Sequence, residues 1–252
     1  MLVFPLLTTP APTSGLPPPW SSVPGSLFLR LCYPRRVERL PLFPLRTVLF
    51  PHTTLPLHIF EERYKLMIGR CIEQRSPFGV VLIRSGEEAG GPAEPHEIGT
   101  TARVTQAQRL PDGKMNLVAY GERRFRILAL DTSEAYLQGD VELLDSDDGD
   151  ASGVAEAAAH VAALFNEHLR LVLAISGQWI RRLDLPSNAA TLADYVAGNA
   201  ELPQDEKQAL LETQSLAARL SRLAVLLSER MCVLSEGWEQ QRREKFAGER
   251  LN

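Results

Sequence analysis

Lysine is scarce in this 252-residue chain: Lys65, Lys114, Lys207 and Lys245 stand against 23 arginines. Any mechanism that needs a lysine has four candidates. Lys65 falls on an amphipathic helix pattern, Lys114 in a turn, Lys207 at an acidic helix start and Lys245 in a charged tail. None has the buried apolar setting that depresses an amine pKa, so a Ser-Lys nucleophile is not expected. A phosphate-cradling loop is missing too. The Gly113-Lys114 pair is followed by Met115, and position 108 is Gln, so the P-loop spacing fails. There is no G-x-S-x-G and no H-E-x-x-H. The histidines, His52, His58, His96, His160 and His168, read as surface or hydrogen-bonded groups. No catalytic residue, no cofactor and no metal ligand is expected.

Cysteine is equally sparse. Cys32, Cys71 and Cys232 lie far apart in sequence. An odd, scattered set excludes a disulfide framework and suits a reducing compartment, so a cytoplasmic protein is expected. Cys71 and Cys232 fall within helical apolar patterns and read as buried small hydrophobes. Positive charge is not in excess: the net charge is −4 and the pI about 5.8, against a bulk nucleic-acid binder. The first 29 residues carry no charge, but seven prolines interrupt them. That excludes a membrane-crossing helix and fits a signal peptide poorly.

The apolar share is 44% and the charged share 23%, enough for a packed core. Residues 1–36 read as a disordered proline-rich leader, with a start near Val37 as the other reading. Residues 37–145 read as a β-rich domain. Pro41 and Pro44 make the first strand an edge or a strand end. Phe50 to Thr54 is a turn, and Leu57 to Phe60 a strand, Leu57 and Phe60 reading as core. From Glu61 to Gln74, Tyr64, Met67, Ile68, Cys71 and Ile72 follow a helical period. Phe78 to Ile83 is apolar throughout and reads as a strand buried on both faces. Pro111-Asp112-Gly113 is a turn, since proline presets φ and glycine accepts a positive one. In the strand around Phe125 and Ile127, Arg124 and Arg126 take the opposite face.

Residues 146–151 form an acidic linker, without the glycine-centred spacing a calcium loop needs. Residues 152–236 then turn to the helical period: Val154 to Ile175, Asn188 to Ala197, a helix opened by Pro203, and a stripe of Leu216, Leu220, Leu223, Leu227, Met231 and Leu234. Residues 237–252 read as a charged, frayed tail. The fold class is α+β: a partly closed β-barrel or curled sheet followed by a helical bundle.

Two strings carry a resemblance: LPLFPLRTVLFPHTTLPLHIFEERYKLMI, Leu40 to Ile68, and GERRFRIL, Gly121 to Leu128. A third, LADYVAGNAELPQDEKQALLET, Leu192 to Thr213, agrees with them. Together they resemble the N-terminal substrate-binding domain of Lon proteases, over about Arg39 to Leu234, in its stand-alone bacterial form. The resemblance implies a PUA-like β-domain and a helical bundle. It also implies a non-catalytic protein-binding module, an adaptor in proteolysis or quality control. Its ligands would be unfolded or client polypeptides, and its partner a Lon-type protease or chaperone, with no membrane. Phe50, His52 and Leu57 are then the expected polypeptide contacts. A second reading stays open. Residues 100–130 sum to +4, and Arg123, Arg124 and Arg126 could make a phosphate face for RNA or a nucleotide.

Overall fold

The computed structural model describes residues 37–86, 93–145, 151–175 and 184–249. The leader (1–36) and residues 146–150 of the acidic linker lie outside them. Six strands form one mixed sheet: β1 (Val37–Leu45), β2 (Thr54–Ile59), β3 (Phe78–Gly86), β4 (Ala93–Arg109), β5 (Met115–Asp131) and β6 (Gln138–Leu144). Five helices complete the fold: α1 (Glu62–Gln74) after β2, then α2 (Ala151–Ile175), α3 (Ala189–Asn199), α4 (Gln204–Glu212) and α5 (Leu216–Glu249).

The strand order is β2-β5-β4-β3-β1-β6, and β5 also pairs with β6. That extra pairing closes β1, β3, β4, β5 and β6 into a small barrel. Closure is possible because β5 is 17 residues long and changes partners along its length. Its second half, from Arg124 to Asp131, ladders with β6, and its first half, from Met115 to Tyr120, ladders with β2. The first half of β5, the end of β4 and all of β2 therefore project from the barrel as a three-stranded platform. Leu40, Leu42, Val81, Phe125 and Val141 fill the barrel interior.

The prolines of β1 predict an edge, yet this strand has neighbours on both sides. It resolves the conflict by dividing its length: Val37 to Pro41 pair with β6, and Leu42 to Leu45 with β3. Strand β3 is buried from Phe78 to Leu82, as its unbroken apolar run requires. Gly113 takes a φ of 79° in the β4–β5 turn.

Helix α1 buries Tyr64, Met67, Ile68 and Cys71 against one face of the platform, on Ile59, Met115, Leu117 and Ala119. Burying side chains of this size contributes about 1.5–3 kcal/mol each. The helix ends where Arg75 turns left-handed at φ 52°. Ile72 is exposed, and so is Phe60, which the strand pattern placed in the core.

The other helices pack on the opposite side of the barrel. Asn188 caps α3, its Oδ1 accepting from the Thr191 amide at 2.9 Å. The α5 stripe is buried at Leu216, Leu220, Leu223 and Leu227. Cys232, expected inside, is exposed. The charged tail is helical through Glu249, so α5 runs 34 residues, about 50 Å at 1.5 Å per residue. One cluster joins barrel and helices: Val48, Phe50, Leu82 and Ile98 share it with Val161, Phe165, Val196, Leu210 and Leu220. The β-domain and the bundle therefore share a core instead of standing apart.

Candidate functional site

Two places in the molecule concentrate polar side chains with a defined geometry. The first is the joint between barrel and helices. Here Phe50-Pro51-His52-Thr53 turns over the start of the GERRFRIL segment. The His52 amide donates to Gly121 O at 2.8 Å, and the Gly121 amide to Thr53 O at 2.9 Å. A Cβ on Gly121 would lie 2.2 Å from Phe50 O, so only glycine permits this approach. His52 itself takes a φ of 62°.

Three residues further along β5, Arg124 is buried. Its Nη1 donates to Leu211 O at 3.2 Å and Thr213 O at 3.0 Å, capping the end of α4. Close by, Arg219 of α5 donates to Asp194 of α3 at 2.5 Å, and both side chains are buried. Burial pushes the Asp194 carboxyl upward, while Arg219, Arg124 and His52 pull it down. Burial and the neighbouring Arg219 lower the Arg124 guanidinium, and Asp194 opposes them. Gln208 ties α4 to the barrel by donating to Ile98 O at 3.0 Å, and Gln204 Oε1 accepts from the Val48 amide at 3.0 Å. Every one of these groups serves cohesion between strands and helices.

The second place is the platform face turned away from α1. A groove of about 490 Å³ runs across it, lined by Pro56, Leu57, His58, Gln106, Gln108 and Asn116 among others. Register builds it in rows. His58 stands opposite Asn116, which stands opposite Gln108; Pro56 stands opposite Val118, which stands opposite Gln106. His58 Nδ1 and Asn116 Oδ1 are 2.7 Å apart. The His58 ring lies 6.2 Å from that of Phe60, and His52 Nδ1 lies 3.3 Å from the Tyr120 hydroxyl at the barrel end. The face thus offers amides that both donate and accept, apolar patches between them and aromatic rims. That chemistry suits an extended chain with mixed side chains.

The expected contact residues separate. Phe50 is only 1% exposed and belongs to the joint core, so it cannot meet a ligand at the surface. His52 is exposed at the joint's rim, and half-buried Leu57 borders the groove but packs with Leu117 on the α1 side of the sheet. The arginines separate as well. Arg124 is 2% exposed, although alternation in β5 placed it on the solvent face; the helices cover that face. Arg123 is paired with Asp145 at 2.6 Å. Arg124 bonds only to main-chain carbonyls, and half-buried Arg126, like it, forms no salt bridge among the described residues.

Sequence reading missed His58, Gln106, Gln108 and Asn116. Their signal was a period of two, polar at 106 and 108 and at 116, on strands already recognised. It also missed Asp194 and Arg219, which sit among the apolar residues of α3 and α5, one turn from Ala197 and Leu216 respectively. Among the described residues no cluster of His, Cys, Asp and Glu could hold a metal. No described helix is long and apolar enough to cross a membrane. Burial raises the Cys71 thiol, with Ser76 opposing, so it is held as a thiol.

Comparison with known proteins follows the same geometry. The chain is 30% identical over 198 residues to a Lon protease of Anaeromyxobacter dehalogenans, covering 77% of this chain and 24% of that protein. It is 29% identical over 198 residues to Lon protease 2 of Myxococcus xanthus, with the same shares. The chain thus spans about a quarter of the length of these curated relatives. The crystal structure of a Lon N-terminal domain protein from Xanthomonas campestris matches with a TM-score of 0.56 at 26% identity, over 75% of this chain and 98% of that one. The N-terminal domain of the Mycobacterium avium complex Lon protease shares the fold, with a TM-score of 0.55 at 24% identity, over 76% of this chain and 98% of that one. Residues 39–229 match the family model of the ATP-dependent protease La (LON) substrate-binding domain, and with a shared core spanning that same stretch, the chain belongs to this family.

Proposed function

We propose that the chain is a non-catalytic recognition module that holds exposed segments of client polypeptides, as an adaptor in proteolysis or protein quality control. The observation that carries the reading is the open face of the platform. A groove lined by Pro56, His58, Val118 and three side-chain amides lies on a sheet whose other side is covered by α1. Such a surface binds apolar side chains while satisfying the main chain around them. The family description, a substrate-binding domain, supports the same reading. The buried position of Arg124 leaves RNA binding without the continuous basic face it needs.

Fluorescently labelled casein, an unfolded protein, tests this by titration. Saturable binding is expected, weakened when His58 and Gln108 are replaced by alanine. Absence of binding up to high micromolar concentration overturns it.

A further inference from the structure

Strand β4 ends in an unpaired edge. It ladders with β3 only as far as Ala102, opposite Phe78. Before Phe78 the chain leaves the sheet for α1, so from Arg103 to Arg109 the β3 side of β4 has no strand partner among the described residues. Seven strand residues span about 23 Å at 3.3 Å each. Of every two consecutive residues, one directs its N–H and C=O to this side.

The edge faces a groove of about 400 Å³ shared with the end of α1, lined by Cys71, Ile72, Arg75, Ser76, Val104 and Ala107 among others. Ile72 is 39% exposed and gives the groove an apolar wall. The Arg103 Nη1 donates to Arg75 O at 2.5 Å and fixes the helix end beside the strand. Arg75 at one end and Arg109 at the other are exposed and have no acidic partner among the described residues.

We propose that this edge takes up a short extended segment of the client polypeptide as an added strand. The inference rests on the polypeptide reading above and names its mode: main-chain pairing along β4, with apolar side chains against Ile72 and Val104 and acidic residues toward Arg75 and Arg109. Strand addition of this kind draws affinity from backbone groups and selectivity from side-chain pockets. A second copy of this chain is the wrong occupant. Antiparallel pairing of two such edges about Gln106 would set Arg103, already held by Glu122 at 2.8 Å, opposite Arg109, so the partner edge would offer Arg109 no acidic residue. The bulge between Val104 and Gln106 also bends the edge away from a long flat partner.

The experiment uses the full chain and a labelled peptide of seven alternating valine and threonine residues with an aspartate at each end. Anisotropy is expected to report saturable binding that weakens at least tenfold when all seven central residues are N-methylated, which keeps the side chains and removes the donors. Gln106→Pro and Ala107→Pro separate the two sides of the strand. The one that leaves the thermal midpoint unchanged is expected to lose the peptide. Paired R75E and R109E changes are expected to weaken the aspartate-ended peptide and favour a lysine-ended one.

Equal binding of the methylated and parent peptides overturns the edge, as does absent peptide binding beside intact casein binding; in both cases the polypeptide reading stands. Absent casein binding overturns that reading first. A dimer that the peptide dissociates would make a second copy the occupant, and this also overturns the proposal.

Discussion

The joint and the platform occupy adjoining stretches of one strand and solve opposite problems. At the joint, β5 is closed in. Gly121 touches the Phe50 turn, Arg124 reaches into α4, and Phe125 fills the barrel. At the platform the same strand presents Asn116 and Val118 to an open groove. The Phe50 turn and the Gly121 segment, two of the stretches that make the family recognisable from sequence, belong to the closed end. They hold strands to helices. The open end, where a ligand has room, takes Pro56 and His58 from the first family string, and Gln106, Gln108 and Asn116 from alternating residues outside all three strings. The family strings therefore run through both places without telling them apart, and the open groove emerges only from register across β2, β5 and β4.

The largest effect should come from opening the joint. Asp194→Ala leaves Arg219 buried without its carboxylate and Arg124 beside it, and a loss of about 3–5 kcal/mol is expected. Urea denaturation measures it; a loss below 1 kcal/mol would mean the cluster is solvated and the contrast false. Gly121→Ala forces a Cβ against Phe50 O, and backbone must shift, at a cost of about 1–3 kcal/mol in the same assay.

A pH effect should follow in the helices. His168 is 2% exposed and stacks on Phe165 at 6.4 Å. Burial holds its imidazole below the ordinary value, with Glu201 opposing and Arg230 assisting. The unfolded chain then takes up this proton at a higher pH than the folded one. Stability from this group is complete above about pH 6.5, the ordinary value, and falls as the pH drops through the folded pKa. Thermal midpoints measured from pH 7 to pH 5 should decline, and His168→Phe should flatten the slope. An unchanged slope would remove His168 as its source.

The smallest stability effect belongs to the platform. Phe60→Ala and His58→Ala together should change stability by no more than about 0.5 kcal/mol, because both are exposed. Casein affinity should fall severalfold all the same. If stability fell instead, the platform would be a second joint and the comparison would collapse.

Periodicity made much of the fold legible. The α1 stripe apart from Ile72, the buried β3 run and the turn at Gly113 each follow from a local rule that the structure keeps. The failures share a cause. Phe50 and Leu57 are apolar residues a few positions apart, and residue type cannot say that one is sealed by helices and the other is half-buried on the α1 side of the platform. Arg124 obeys the alternation of β5, but alternation names a face without saying what covers it. Cys232 lies near the leucine stripe of α5, although the stripe outruns the buried contacts that end near Leu227. Phe60 follows a strand pattern by one residue and so escapes its packing. The candidate face was hardest to read, since its rows exist only across strands, and register between β2, β4 and β5 is a property of the folded sheet.

The change of partners along β5 also has a mechanical side. In the proposed role, a client tugged while it lies on the platform would load β5 along its axis, and the ladders to β2, β4 and β6 would take that load in shear. Many hydrogen bonds must then yield together instead of one after another, as they do when a strand is peeled from its end. The pull is delivered to Arg124 and the end of α4, so the barrel and the helices bear it as one body. A hand that must hold a chain while something else draws on it is better built around one long shared strand than around two domains on a string.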